Sequence, residues 1–489
     1  MSRRIIPIID KRHLPEVEKQ EDGAGEVEVE ALYASSKKIY VRAVKGLFSS
    51  WRIAFVILTQ CIYYGLLWVP WNDRQAVLFD LVSRKFYIFG LVLWPQDVIY
   101  LTLLLLISAL SLFLFTAVAG RLFCGYACPQ TVYTEIFMWI EQKIEGDHVA
   151  RLRLDSSPWT ARKIRLKLTK HFLWLLIAGW TGFTFVGYFT PVSTLISEIK
   201  NFSLGGWEAF WLCFYSFATW GNAGFMREQV CKYMCPYARF QSVMFDSDTL
   251  IVSYDAARGE PRGSRAKKTD YQAAGLGSCV DCNICVQVCP TGIDIRQGLQ
   301  YECIGCGACI DACDDVMDKM HYPKGLIRYA TERALLTQTK TRESLWQHLF
   351  RSRVLIYTAL LLVLCGAFAA SLFYRATFRA DIMRDRGALT REVAGGFIEN
   401  VYRLNVMNTS EKPLTLSVSV KGMNTLMLPK EQRTLHLAPL SNQQIPVKLR
   451  AQAEAASEGS HPIQFTFESV EEGRSVKREE KAIFIMPKL

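Results

Sequence analysis

"SCVDCNICVQVCPTGIDIRQGLQYECIGCGACIDACD", residues Ser278 to Asp314, holds eight of the chain's 15 cysteines. Cys279, Cys282, Cys285 and Cys289 follow C-x2-C-x2-C-x3-C-P, and Cys303, Cys306, Cys309 and Cys313 repeat that spacing with Asp314 where the proline would stand. This is the ligand spacing of a bacterial two-cluster ferredoxin, in which three thiolates of one run hold a cubane and the fourth comes from the other run. The spacing therefore assigns Cys279, Cys282, Cys285 and Cys313 to one [4Fe-4S] cluster and Cys303, Cys306, Cys309 and Cys289 to a second. Gly292, Gly305 and Gly307 suit loops whose backbone comes close to an inorganic core. Disulfides conflict with the reducing compartment that the segment should face, and zinc conflicts with the doubled, eight-ligand pattern.

The rest of the chain says where such clusters would sit. With 489 residues, 50% of them hydrophobic, and a net charge of +11, it is too long for one domain and too apolar for an ordinary soluble protein. Five stretches approach the ~20 apolar residues that a bilayer span needs: Arg52 to Trp71, Asp97 to Gly120, His171 to Thr190, Trp207 to Met226 (interrupted by "WGNAG") and Arg353 to Tyr374. The first 45 residues are charged, do not read as a cleaved signal peptide, and are expected to form a partly disordered cytoplasmic lead. Basic residues gather at Lys37 to Arg52, Arg151 to Lys170 and Arg258 to Lys268, which places these regions in the cytoplasm and, after an odd number of spans, the C-terminal segment on the opposite side. The excess of positive charge is topological, and nothing calls for nucleic acid.

From about Thr377 onward cysteine disappears. "TLSVSVKGM", "RTLHLAPLS", "QIPVKLRAQ", "IQFTFES" and "KAIFIMPKL" alternate apolar and polar residues, as short antiparallel strands do. The expected fold is an α-helical membrane protein with five transmembrane helices, a cytoplasmic two-cluster ferredoxin-like domain and a C-terminal all-β, immunoglobulin-like sandwich. The expected divisions are a lead over 1–45, a four-helix membrane domain over 46–245, a ferredoxin domain over 246–350, a fifth helix over 351–376 and a periplasmic sandwich over 377–489.

A second cysteine pattern also occurs twice. "RLFCGYACPQTVY" closes the second expected span and "EQVCKYMCPYARF" the fourth, an internal repeat of a span followed by C-x3-C-P. Cys124 with Cys128, and Cys231 with Cys235, are spaced to share one helix face, and Pro129 and Pro236 mark a helix start or kink. The repetition favours ligation or redox chemistry over packing, with soft thiolates suited to Cu(I) or to another iron–sulfur centre. Arg121, Lys232 and Arg239 would help to hold the thiols as thiolates. The single cysteines Cys61, Cys213 and Cys365 read as packing residues, as do Met226 and Met234. The seven histidines, His13, His148, His171, His321, His348, His436 and His461, show no pairing on facing spans, which argues against bis-histidine haem.

Five spans, "CGYACPQ" (124–130), "CKYMCPYARFQ" (231–241), the doubled cysteine run and a β-rich C-terminal domain together resemble the FixG/RdxA/CcoG family of cytochrome oxidase accessory proteins. The resemblance covers nearly all of the chain beyond the lead. It implies a bacterial inner-membrane oxidoreductase that supports maturation of the cb-type haem–copper oxidase by reducing Cu(II) to Cu(I) in the cytoplasm. It carries the cluster ligands onto the eight cysteines of the opening stretch, and the membrane-proximal motifs onto Cys124, Cys128, Cys231 and Cys235. The partners implied are membrane lipid, copper ions, a copper chaperone or exporter, and oxidase subunits. Asp314 departs from the pattern and bears on the local loop shape. Two other readings fit the same sequence: a quinol dehydrogenase, with "WTGFTFVGYF" as its aromatic membrane surface, and an assembly scaffold whose clusters are structural.

Overall fold

The computed structural model describes residues 38–267, 270–271, 273–337, 350–384, 390–423, 425–471 and 474–487. Most of the expected N-terminal lead, together with Lys37, His13, Lys268 and His348, lies outside the described residues. The chain divides into two compact units, one formed by residues up to 78 and by 100–365, the other by 79–99 and 366–489.

The helices of the first unit include α1 (Leu47–Gly65), α2 (Val98–Ala119), α3 (Leu122–Tyr126), α4 (Pro129–Glu145), α5 (His148–Ser156), α6 (Ala161–Gly187), α7 (Gly206–Gly221) and α8 (Pro236–Met244). Among the described residues three helical stretches are long and apolar enough to cross a membrane: Leu47–Trp68, Pro95–Ala119 and Ser352–Phe373. The third and fourth expected spans are helical too. α7, at 16 residues, reaches only about 24 Å and passes into a π turn at Asn222–Met226, where "WGNAG" interrupts the apolar run. Cys61, Cys213 and Cys365 are exposed, so the expectation that they pack inside is corrected: on apolar helices they face outward.

α4 is held against α6 by Phe137 and Trp174, whose rings stack at 5.1 Å while the Trp174 indole N–H donates to the Phe137 carbonyl at 3.1 Å. β1 (Ile251–Tyr254) pairs antiparallel with β2 (Ile327–Ala330), and these strands bracket the two cysteine runs in sequence. Cys309 and Cys313 both lie in α9 (Ala308–Met320). A proline at 314 would interrupt that helix; Asp314 continues it, and its Oδ1 accepts from the Gly325 amide at 2.9 Å. The departure from the family pattern thus changes a helix interior rather than a loop. From the same helix Asp311 accepts from the amides of Phe48 at 3.2 Å and Ser49 at 2.7 Å, which supplies the cap that Gly46 cannot give to α1.

α10 (Ser352–Phe373) leads into the second unit. There β3 (Phe378–Arg384), β4 (Arg391–Val393), β5 (Phe397–Asn408) and β8 (Asn442–Gln452) form one sheet, and β6 (Leu414–Lys421), β7 (Thr434–Leu437), β9 (Gly459–Glu471) and β10 (Arg474–Met486) form the other. Their inner faces meet around Tyr402, Leu404, Phe465, Phe467 and Phe484, all fully buried, which is a β-sandwich core. Asn400 ties the sheets together: its amide donates to the Ile485 carbonyl at 2.9 Å and its carbonyl accepts from the Ile485 amide at 3.2 Å. Residues 79–99 pack with this unit, where Lys85 reaches the Leu440 carbonyl at 2.8 Å.

Candidate metal centre

The two cysteine runs fold into loops of matching backbone. Asp281 and Asn283 in the first run, and Gly305 and Gly307 in the second, occupy the same two places and all take positive φ, between 54° and 71°, a region where glycine is free and Asn and Asp are the next best tolerated. The loops differ in surroundings. Asp281, Cys282 and Asn283 are exposed, whereas a Cβ on Gly307 would stand 2.8 Å from the Phe48 ring. The second loop is therefore restricted to glycine by packing as well as by φ.

The cavities bring together the thiols that crossed ligation would use. One is lined by Cys279, Cys282, Cys285 and Cys313, and the next by Cys289, Cys303, Cys306 and Cys309, with Cys285 on the wall of both. Each set joins three thiols of one run to the fourth of the other, as a cubane requires, and all fifteen cysteines are free. Among the described residues no group of three or more His, Cys, Asp or Glu side chains stands close enough to hold a single metal ion. Two sets of four thiols are the donor complement of two [4Fe-4S] clusters. Burial pushes the thiols of Cys303 and Cys313 up to about 12 and that of Cys285 to about 11, so they bind metal with release of protons. Beside the first loop Arg296 pairs with Asp281 at 2.6 Å and Asp294 at 2.7 Å, and fixes the exposed turn.

The membrane-proximal pairs do not lie on continuous helices, which corrects the expectation of one shared face. Cys124 belongs to α3, which ends at Tyr126, and Cys128 precedes Pro129 at the start of α4. Likewise Cys231 lies in a π turn (Val230–Met234), and Cys235 precedes Pro236 at the start of α8. The internal repeat survives in the geometry. The Cys128 amide donates to the Phe123 carbonyl at 3.0 Å and the Cys235 amide to the Val230 carbonyl at 2.8 Å, the same wide turn from the second thiol back to the residue before the first.

These turns meet the second cluster loop. A Cβ on Gly125 would lie 2.9 Å from Cys306 Cα and 3.0 Å from the Gly305 carbonyl oxygen. The Tyr126 hydroxyl donates to the Cys306 carbonyl at 3.3 Å and the Tyr329 hydroxyl to the Gly305 carbonyl at 2.5 Å. Arg121 donates to the carbonyls of Tyr301 and Ala238, and its charge acts on Cys124, Cys231 and Cys303 together. Burial nevertheless outweighs that charge, pushing Cys124 up to about 12 and Cys231 to about 11. Arg121 thus acts in the expected direction on Cys124 and Cys231, but its effect is smaller than that of burial. The Cys124 thiol donates to Gln241 Oε1 at 3.4 Å, and Gln241 is fully buried. Met226 and Met234 are exposed.

Gly125, Tyr126, Tyr329 and Gln241 escape a sequence reading because their partners are remote in the chain. Three of them, Gly125, Tyr126 and Gln241, stand inside the quoted motifs, and that proximity is the one signal that could have found them.

Comparison with known proteins adds three family profiles. A 4Fe-4S dicluster domain matches residues 226–332, a 4Fe-4S binding domain matches residues 101–146, and a profile described as "IG-like fold at C-terminal of FixG" matches residues 368–487. The first two include Cys231 and Cys235, and Cys124 and Cys128, respectively. The chain is 38% identical to the nitrogen fixation protein FixG of Rhizobium meliloti, with 80% of each chain covered. It is 39% identical to protein RdxB of Cereibacter sphaeroides, covering 83% of this chain and 86% of that one. To protein RdxA of the same organism it is 38% identical, covering 80% and 84%.

Proposed function

The chain belongs to the FixG/RdxA family, and from that premise we propose that it reduces Cu(II) to Cu(I) at Cys124, Cys128, Cys231 and Cys235, on the cytoplasmic face of a bacterial inner membrane, in support of cytochrome oxidase assembly. The observation that carries this reading is the packing of Gly125 and Tyr126, between the first two thiols, against the backbone of Cys306. When bound, the clusters supply one-electron chemistry, which matches the single electron that Cu(II) takes up.

The residues divide the work. Cys282 and its exposed turn offer the face on which a soluble electron donor would dock. Cys306 is buried and Cys303 and Cys309 are half-buried, farther from solvent than Cys282. The four membrane-proximal thiols are soft donors that prefer Cu(I) to Cu(II), and so favour the reduced product. Since they form no tight single-ion site, copper is read as a passing substrate, received from or handed to a chaperone or exporter.

We place five spans in the membrane, with α6 and α7 as a hairpin. The sidedness does not depend on that pair: removing two spans leaves the parity unchanged. Residues 79–99 and the sandwich, which share one unit, then fall on the periplasmic side, where the sandwich is a docking module for oxidase subunits.

The test is anaerobic reduction of Cu(II) by purified protein supplied with reductant and free of added thiols. A Cys231→Ser, Cys235→Ser protein should retain both cluster signals and lose copper reduction. Unchanged copper reduction per cluster would remove the thiols from the mechanism.

A further inference from the structure

Four arginines are buried among the described residues, and three of them have a carboxylate partner. Arg52 pairs with Glu135, Arg151 with Glu141 at 3.3 Å, and Arg227 with Glu141 at 2.8 Å. Arg121, at 5% exposure, is the exception. Its guanidinium donates to the neutral carbonyls of Tyr301 and Ala238, and its Nε is buried without a hydrogen bond. The acids whose charge acts on it most are the thiols of Cys124, Cys303, Cys231 and Cys235. A buried charge left without a counter-charge is costly, so a cation in this position is explained only by an anion that forms beside it.

The contacts of Arg121 point to the second cysteine run. Tyr301 lies two residues before Cys303. A Cβ on Gly305, between Cys303 and Cys306, would stand 3.4 Å from the Arg121 carbonyl carbon, so the backbone of Arg121 lies directly against that loop. Two carboxylates near the run, Glu135 and Asp311, act on Arg52 instead. The first run is arranged differently. Arg296 is neutralised twice over, by Asp281 at 2.6 Å and Asp294 at 2.7 Å. Arg265, which donates to the Cys279 carbonyl at 3.3 Å, is only half-buried, where water and salt screen its charge.

Cysteines that bind metal do so as thiolates, and one-electron reduction of a [4Fe-4S] cluster adds a further unit of negative charge beside them. A fixed cation in a low-dielectric site stabilises the reduced form more than the oxidised one, and net charge is among the levers that set a cluster's potential. We propose that Arg121 is the buried counter-charge of the second cluster and holds its reduction potential above the value that burial alone would give. Arg121 acts here through its charge on the thiolates of Cys303, Cys306, Cys309 and Cys289, and donates no ligand itself. The inference concerns this cluster and does not rest on the copper reading.

The experiment is an anaerobic redox titration of the full-length protein with dithionite, without copper, followed by paramagnetic resonance. At a fixed solution potential, Arg121→Gln should lower the ratio of reduced to oxidised second cluster about tenfold, a shift of about 59 mV for one electron, and leave the first cluster unchanged. Arg121→Lys, which keeps the charge, should titrate like wild type. Gln241→Glu, of the same shape, sets a carboxylate beside Cys124 and should move the second cluster in the same direction; it carries the test if Arg121→Gln loses its iron. An unshifted second cluster in whichever of these two variants carries the test would overturn the proposal. So would equal shifts in Arg121→Gln and Arg121→Lys, which would assign the effect to the hydrogen bonds on the Tyr301 and Ala238 carbonyls. Because no copper is present, failure here leaves the copper assay standing.

Discussion

Gly125 faces the backbone of the second cysteine run so closely that a Cβ would stand 2.9 Å from Cys306 Cα and 2.9 Å from the Ile304 carbonyl oxygen. The neighbours are main-chain atoms of a metal-binding loop, so they cannot yield without moving ligands. Gly125→Ala should therefore cost about 1–3 kcal/mol, as overpacking does, and lower iron retention at the second cluster. Gly366→Ala, in α10 with nothing within 4 Å, should be neutral or slightly stabilising. Thermal unfolding and iron content of the two variants check the contrast, and equal behaviour would mean that the contact carries no weight.

The cavities predict which cluster each bridging thiol serves. Cys313→Ser should damage the cluster held by Cys279, Cys282 and Cys285, and Cys289→Ser the other. Wild type should carry about eight irons per chain. Paramagnetic resonance of the reduced variants distinguishes the clusters; the reverse pattern would show that ligation is not crossed.

Asp97, whose side chain is 1% exposed, accepts from Arg375 at 2.6 Å and also from Arg379. Asp97→Asn leaves two guanidinium groups facing a neutral amide. Removing one partner of a buried pair costs about 3–5 kcal/mol, and the partial exposure of Arg379 places this case toward the lower end. Faster hydrogen exchange in β3 should follow, since Arg379 lies in that strand. Unchanged exchange there would show that the pair does not anchor it.

Glu141 is fully buried, and the cations Arg227, Lys170 and Lys38 hold its carboxyl down to about 2 against the cost of burial. A carboxylate whose folded pKa is depressed contributes stability above its unfolded value and loses it as pH falls through the folded one. The window here runs from about 4.5 down to about 2, with a contribution on the order of 3 kcal/mol. Melting temperatures across that window should fall for wild type and fall less steeply for Glu141→Gln, whose side chain cannot titrate. Parallel curves would assign the acid sensitivity to other groups.

The cluster ligands were legible because their information is local: a cubane demands thiols at fixed short separations, and the spacing of Cys279 to Cys289 states that demand directly. The strands from 414 onward were legible for a similar reason, since Leu414, Leu416 and Val418 are buried while Thr415 and Ser417 are exposed. β5 was not, because Ile398, Glu399 and Asn400 are buried in succession, and such a strand loses its alternation. Nor could a linear reading anticipate the union of residues 79–99 with the sandwich, or the meeting of Gly125 with Cys306, since nothing in either partner names the other. α7 was ambiguous for a physical reason: its apolar run is long enough only if the π turn is counted.

The cap on α1 has a consequence for biosynthesis. The amides of Phe48 and Ser49 leave the ribosome early and reach the membrane surface with their helix, but their acceptor, Asp311, belongs to a turn made more than 260 residues later between Cys309 and Cys313. Until that turn has closed around its thiols, the first helix carries unpaired donors at its exposed end. Closure of the second cysteine run and capping of the first helix are thereby coupled through one carboxylate.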